Sequence, residues 1–122
     1  MTGYTATELA LMLLGYTAAG DDDPQQTDTW QRMALPALQT VLADILHVLR
    51  SEAALPQTLG ETLPVTDDAA HRAVVPGLAM LLAQASGDGD GYNRFALVYA
   101  QRRSSLPKAA RRVEDTAPLP TT

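Results

Sequence analysis

Two helical stripes separated by Gly87-Asp88-Gly89-Asp90-Gly91 constrain this 122-residue chain more than any other feature. Before the break, Leu78, Leu81, Leu82 and Ala85, led by Ala70 and Val74, recur at steps of three and four. That spacing puts them on one face of a helix, and such a face must be buried. After the break, Tyr92, Phe95, Ala96 and Tyr99 resume the same spacing. Alternating glycine and aspartate favours neither helix, so the stretch 73–103 is expected to fold as a helical hairpin, with Asp88 or Asp90 capping its second arm.

A core for this hairpin must come largely from Leu, Ala and Val, because hydrophobic residues make up 46% of the chain and aromatic ones only 5%. Cores of that kind are usually helical, and this length fits one domain. No cysteine is present, which removes disulfides, thiolate nucleophiles and cysteine metal sites together. The uncharged run 73–83 is far below the ~20 residues of a bilayer span, and the short apolar run 9–14 lacks the preceding basic residues of a secretory signal. Neither a membrane span nor a leader is therefore expected.

The charge is divided along the chain. Through Asn93, three basic residues (Arg32, Arg50, Arg72) face twelve acidic ones, whereas from Arg94 onward six basic residues face two acidic ones. An acidic body disfavours general coating of nucleic acid, and a basic end suits docking on an acidic partner.

Upstream of the hairpin, Thr5-Ala6-Thr7-Glu8 has capping-box spacing and predicts a short helix ending at Gly15, with Ala6, Leu9, Ala10 and Leu13 buried. Asp21-Asp22-Asp23-Pro24 reads as a self-repelling loop. Thr27 or Asp28 then caps a long second helix striped by Trp30, Met33, Ala37, Leu38, Val41, Ile45, Val48 and Leu49, with a kink expected at Pro36. Leu35, Leu42 and Leu46 widen this stripe beyond what a one-sided helix needs. Together with Trp30 they are candidates for contact with another subunit. Pro56 and Pro64 push their preceding residues into extended geometry, so 56–65 is expected to be non-helical. Thr66-Asp67-Asp68 offers cap oxygens for the hairpin's first arm, in which Pro76 predicts a second kink. Beyond Arg103 no apolar stripe remains. The expected organisation is an all-α, small four-helix bundle over 1–104, followed by a flexible basic, Thr/Pro-rich tail over 105–122.

Chemistry finds little footing. Asp88, Asp90 and Asn93 hint at a calcium loop, but that pattern wants glycine at its sixth position and glutamate at its twelfth, where this chain has Asn93 and Tyr99. His47 and His71, with Asp44 and Asp67 nearby in sequence, lack a nucleophile or a metal-binding spacing, so no catalytic residue, metal or cofactor is expected and the chain is not read as an enzyme. The glycine-rich turn lacks the preceding strand and following Lys-Ser/Thr of a phosphate loop.

The order Ala73-Val74-Val75-Pro76-Gly77-Leu78-Ala79-Met80-Leu81-Leu82-Ala83, a Gly/Asp turn, then Tyr92-Asn93-Arg94-Phe95 and Tyr99-Ala100-Gln101-Arg102-Arg103 resembles the small head-tail connector (adaptor) proteins of tailed bacteriophages. The likeness spans most of Thr5 to Arg103. It extends to the layout of a short helix, a long helix, a proline-bearing approach at Glu61-Thr62-Leu63-Pro64 and two final helices. The acidic loop at Asp21 and the Thr/Pro tail have no counterpart in it.

The resemblance implies a ring in the virion neck, assembled in the host cytoplasm beneath the portal protein and extending its DNA channel toward a stopper or tail protein. Double-stranded DNA would pass through without sequence-specific binding. Under this expectation Arg102, Arg103, Lys108, Arg111 and Arg112 are portal-docking candidates, and Asp21, Asp22, Asp23, Asp44 and Glu52 are channel-lining candidates. The alternative is a small helical DNA-packaging or DNA-binding factor that uses the basic C-terminal end. A helical hydrolase or metal protein built on His47 or His71 is a more distant rival.

Overall fold

The computed structural model describes residues 1–15 and 24–116, with side chains at 1–15, 30 and 32–106. Its chain order is helix, helix, connector, helix, helix, and the result is a small all-α bundle with no strand among the described residues. The first helix, α1 (Gly3–Leu14), is followed by the long α2 (Pro24–Val48). The third, α3, is built of three consecutive pieces: Asp67–Ala69, a π-helical turn at Ala70–Val74, and Val75–Ala85. The last, α4, runs from Gly89 to Thr116.

Helix α1 begins earlier than the Thr5-Glu8 signature suggests. Its N-cap is Thr2, whose hydroxyl oxygen accepts from the Thr5 amide at 3.3 Å, and Glu8 stays exposed on the helix surface. At the other end Gly15 takes the left-handed conformation (φ 78°), as expected, and its amide reaches back to the last turn. Ala6 and Ala10 are fully buried, but Leu13 is turned to solvent and Leu14 is buried in its place.

Helix α2 begins at Pro24, before the expected caps Thr27 and Asp28, and continues across an exposed Pro36. It ends without a glycine. Arg50 adopts the left-handed conformation (φ 57°), while the Arg50 and Ser51 amides bond back to His47 and Leu46. The connector is non-helical, as predicted from its prolines, and it is tied down at several points. Gln39 donates to the Pro56 carbonyl at 2.8 Å, and the Glu61 carboxylate accepts from the Gln57 and Thr58 amides at 2.6 and 2.7 Å. Thr2 and Thr62 form an isolated antiparallel bridge, and Leu63 donates to the Met1 carbonyl.

Thr66 caps α3 as its sequence suggested, with its hydroxyl oxygen accepting from Ala69 at 3.1 Å. The anticipated disturbance at Pro76 takes the form of the π-turn just upstream, where the Val75 amide bonds to Ala70 five residues back. Proline has no amide to give and its ring crowds the preceding turn, and a wider turn relieves both problems. The final piece of α3 is buried over most of its circumference, with Val75, Pro76, Gly77, Leu78, Ala79, Leu82 and Ala83 inside, but of the face expected to be buried Leu81 is only half-buried and Ala85 is exposed. It packs against α1, α2 and α4, while α1 and α4 have little direct contact with each other. The hairpin's first arm is thus the bundle's centre, whereas its spacing alone indicated one buried face.

Asp88 turns the chain into α4. Its carboxylate accepts from the Gly91 amide at 2.9 Å, and Gly87 supplies the left-handed turn (φ 77°). Helix α4 then continues to Thr116, past the expected boundary at 104–105, and Leu106 is buried. The expected flexible tail therefore has helical backbone from 105 to 116, and 117–122 lie outside the described residues.

Candidate assembly surfaces

The strongest polar contact between elements joins α2 to α4. Asp44 projects from α2, and Arg103 of α4 grips its carboxylate with two bonds, Nε to Oδ2 at 2.6 Å and Nη2 to Oδ1 at 3.0 Å. The Tyr99 hydroxyl, one turn earlier on α4, donates to the same Oδ2 at 2.6 Å. A forked guanidinium matches a carboxylate in geometry as well as charge, so the pair fixes both the distance and the rotation of α4 against α2.

The electrostatics follow from these bonds. Arg103, aided by the Tyr99 hydroxyl and opposed by partial burial, holds the Asp44 carboxyl below its ordinary range. Burial pushes the Tyr99 phenol well up, and the neighbouring carboxylate pushes it further. Arg103 is held more firmly protonated by Asp44. Both charged side chains remain more than a third exposed, so solvent screens their attraction.

Beside this clasp, Tyr99 of α4 and Val41 of α2 both close on Gly77 of α3. A β-carbon at Gly77 would lie 2.7 Å from the Tyr99 ring and 2.9 Å from Val41, so the position admits no larger residue without movement. The Tyr99 ring rests there while its hydroxyl reaches Asp44.

These contacts redistribute the residues expected to serve assembly. Asp44, a channel-lining candidate, and Arg103, a docking candidate, neutralise each other within one subunit. Arg102 and Glu52 are exposed and available for the roles assigned to them. Lys108, Arg111 and Arg112 fall on the helical backbone of α4, beyond its last described side chain, and Asp21, Asp22 and Asp23 lie outside the described residues. The subunit-interface set is largely turned inward. Leu42 and Leu46 are buried in the subunit's own core, because α2 is covered by both α3 and α4. Trp30 is buried as well, its indole N–H donating to Ser86 Oγ at 3.1 Å at the end of α3. Leu35 remains half-buried. The broad stripe on α2 therefore answers to two neighbours inside one chain.

An apolar groove of about 640 Å³ opens where α2 ends. It is lined by Leu46, Leu49, Leu63, Val65 and Ala69, with Leu106 of α4 at its side. Its polar edge is formed by Ser51, Thr66 and Asp68, and Asp68 is paired with Arg72 at 3.2 Å. The groove adjoins the segment of α4 from which the basic sequence continues.

His47 lies on α2 and His71 in the π-turn of α3, both exposed. Among the described residues there is no group of three or more His, Cys, Asp or Glu side chains able to hold a metal ion. Among those residues, too, no helix is long and apolar enough to cross a membrane. Compared with known proteins, the chain matches no family model, no curated protein and no solved structure.

The sequence did not reveal Tyr99 as Asp44's partner. The two are 55 positions apart, and Tyr99 reads equally well as a core aromatic. The available signal was local: an aspartate at position 44 beside the otherwise apolar Val41, Leu42 and Ile45 calls for a partner.

Proposed function

We propose that the chain is a structural head-tail connector of a tailed phage, a subunit that adds to the portal protein and prolongs its DNA channel. The observation that carries this reading is the order of elements: a short helix, a long helix, an anchored proline-bearing connector and a helical hairpin whose second arm continues into the basic segment. That is the layout the sequence resemblance implies. The extension of α4 to Thr116 gives Lys108, Arg111 and Arg112 helical spacing, suited to an acidic portal surface, and the groove beside Leu106 offers an apolar seat next to them.

The test is binding of the full chain to the portal protein of the same phage, compared with a variant carrying Lys108→Glu, Arg111→Glu and Arg112→Glu. This variant is preferable to truncation after Ser105, which would also delete the buried Leu106. The reading expects the reversal to abolish portal binding and leave the helical content intact. The alternative, a DNA-packaging or DNA-binding factor, draws on the same basic segment. It expects duplex binding near physiological salt, with affinity falling steeply as salt rises. Duplex binding of that kind with no portal binding would replace the connector reading.

A further inference from the structure

Helices α1 and α4 flank α3 without much contact between them, so each has an outer side that none of the other described helices covers, although the connector at Leu59 and Gly60 adjoins α1 at Tyr4. Of the large apolar side chains left exposed among the described residues, all but Met33 of α2 lie on these two helices. Tyr4, Met12 and Leu13 project from α1, with Met12 62% exposed, and Leu97 projects from α4 at 70%. On α1, Tyr4, Glu8 and Met12 form one stripe at four-residue steps. On α4, Asp90, Arg94 and Leu97 form another at steps of four and three, and Asp90 and Arg94 are exposed. Among the described residues no ion pair reaches Glu8 or Arg94, although the Arg94 guanidinium lies over its own Phe95 ring, 4.9 Å from the centroid.

The two stripes complement each other in order. Laid side by side and parallel, Tyr4 can donate its hydroxyl to Asp90, Glu8 faces Arg94, and Met12 meets Leu97. We infer that copies of this chain associate head to tail, the outer face of α1 in one copy against the outer face of α4 in the next. A like-with-like contact is disfavoured, because it sets Glu8 against Glu8 or Arg94 against Arg94. Since the two faces differ, each contact leaves one face of either kind free, and repetition produces a closed ring or an open filament. The inference deepens the connector reading, which calls for a ring, but the contact itself can be examined without a portal.

The absence of cysteine makes the experiment direct. Full-length Met12→Cys and Leu97→Cys proteins, one of them mass-tagged, are mixed at high concentration and oxidised mildly. Mixed disulfide dimers are expected to form several-fold faster than either like-with-like dimer and several-fold faster than pairs involving Ala54→Cys, an exposed control position in the connector. Adding Glu8→Arg to the first protein should slow the mixed link, and Arg94→Glu in the second should restore it. Mixed linking no faster than the control, or faster linking of like with like, overturns the proposal. Mixed linking by a protein that adds nothing to a portal would leave this contact standing and remove the connector reading. Portal addition with mixed linking at the control rate would do the reverse.

Discussion

At the residue scale, Asp44 ties α2 to α4, and Gly77 lets the Tyr99 ring of α4 and Val41 of α2 close on α3. Replacing Asp44 with Asn leaves the guanidinium and the phenol facing a neutral amide. Because the pair is more than a third exposed, the cost should be about 1 kcal/mol rather than that of a buried charge. Its pH dependence has a defined sign. The folded carboxyl sits below its unfolded value of about 3.9, so its contribution is complete above that value and disappears as pH falls through the lower folded one. Melting temperatures measured from pH 6 downward should therefore fall more steeply for the wild type than for Asp44→Asn below about pH 4. Tyr99 shifts the other way. Its phenol should ionise above the ordinary tyrosine range in an alkaline absorbance titration, and Tyr99→Phe should remove that late phase.

Gly77→Ala sets two effects against each other. Alanine favours a helix by about 1 kcal/mol, but a β-carbon 2.7 Å from the Tyr99 ring forces a displacement costing about 1–3 kcal/mol. A lower melting temperature is expected, and an unchanged or higher one would mean that α4 can yield there. Leu42→Ala should cost about 2–5 kcal/mol in chemical denaturation, because the side chain is fully buried in its own subunit. A variant of full stability that fails to associate would instead restore Leu42 to a subunit interface.

At the scale of elements, what the sequence disclosed and what it concealed have physical reasons. Helix ends marked by a dedicated residue were legible: Gly15, Thr66 and the Asp88 turn stand where their chemistry puts them. Asp88→Ala should cost α4 about 1 kcal/mol through the lost bond to Gly91. The end of α2 was not legible, because arginine fills a left-handed position at which glycine is the usual signal. The start of α1 was misplaced because Thr2 and Thr5 are both competent caps, and the connector's bonds to Met1 and Tyr4 favour the earlier one. On α2, spacing identified most of the buried residues, though it included Met33, which is exposed, and missed Ala34, which is buried; it could not distinguish a second helix of the same chain from a second subunit. Both cover apolar side chains in the same way. The Asp44 clasp was hidden for a related reason, since contacts between distant positions leave no trace in helical periodicity.

For the whole molecule, the arrangement is a bundle centred on α3, with α1 and α4 as opposing flanks and α4 continuing into the basic segment. The bundle's inner cohesion rests on α3, which packs most extensively against α4 and α1, with α2 and the clasp completing it. Its outward chemistry is left to the exposed stripes, the groove beside Leu106 and the cationic continuation of α4. Under the proposed function the clasp would bear on assembly as well, because it helps to set the direction in which α4 leaves the bundle. If the chain adds to a portal as proposed, Asp44→Asn should weaken that addition modestly, whereas reversal of charge at 108, 111 and 112 should abolish it.

The most direct test of the connector role is the mass of isolated portal rings before and after incubation with the purified chain, read by native mass spectrometry. The proposed function predicts that each ring gains a fixed whole number of copies, the same number in every ring. Portal rings whose mass is unchanged at saturating chain, under conditions where the chain remains folded, would contradict it.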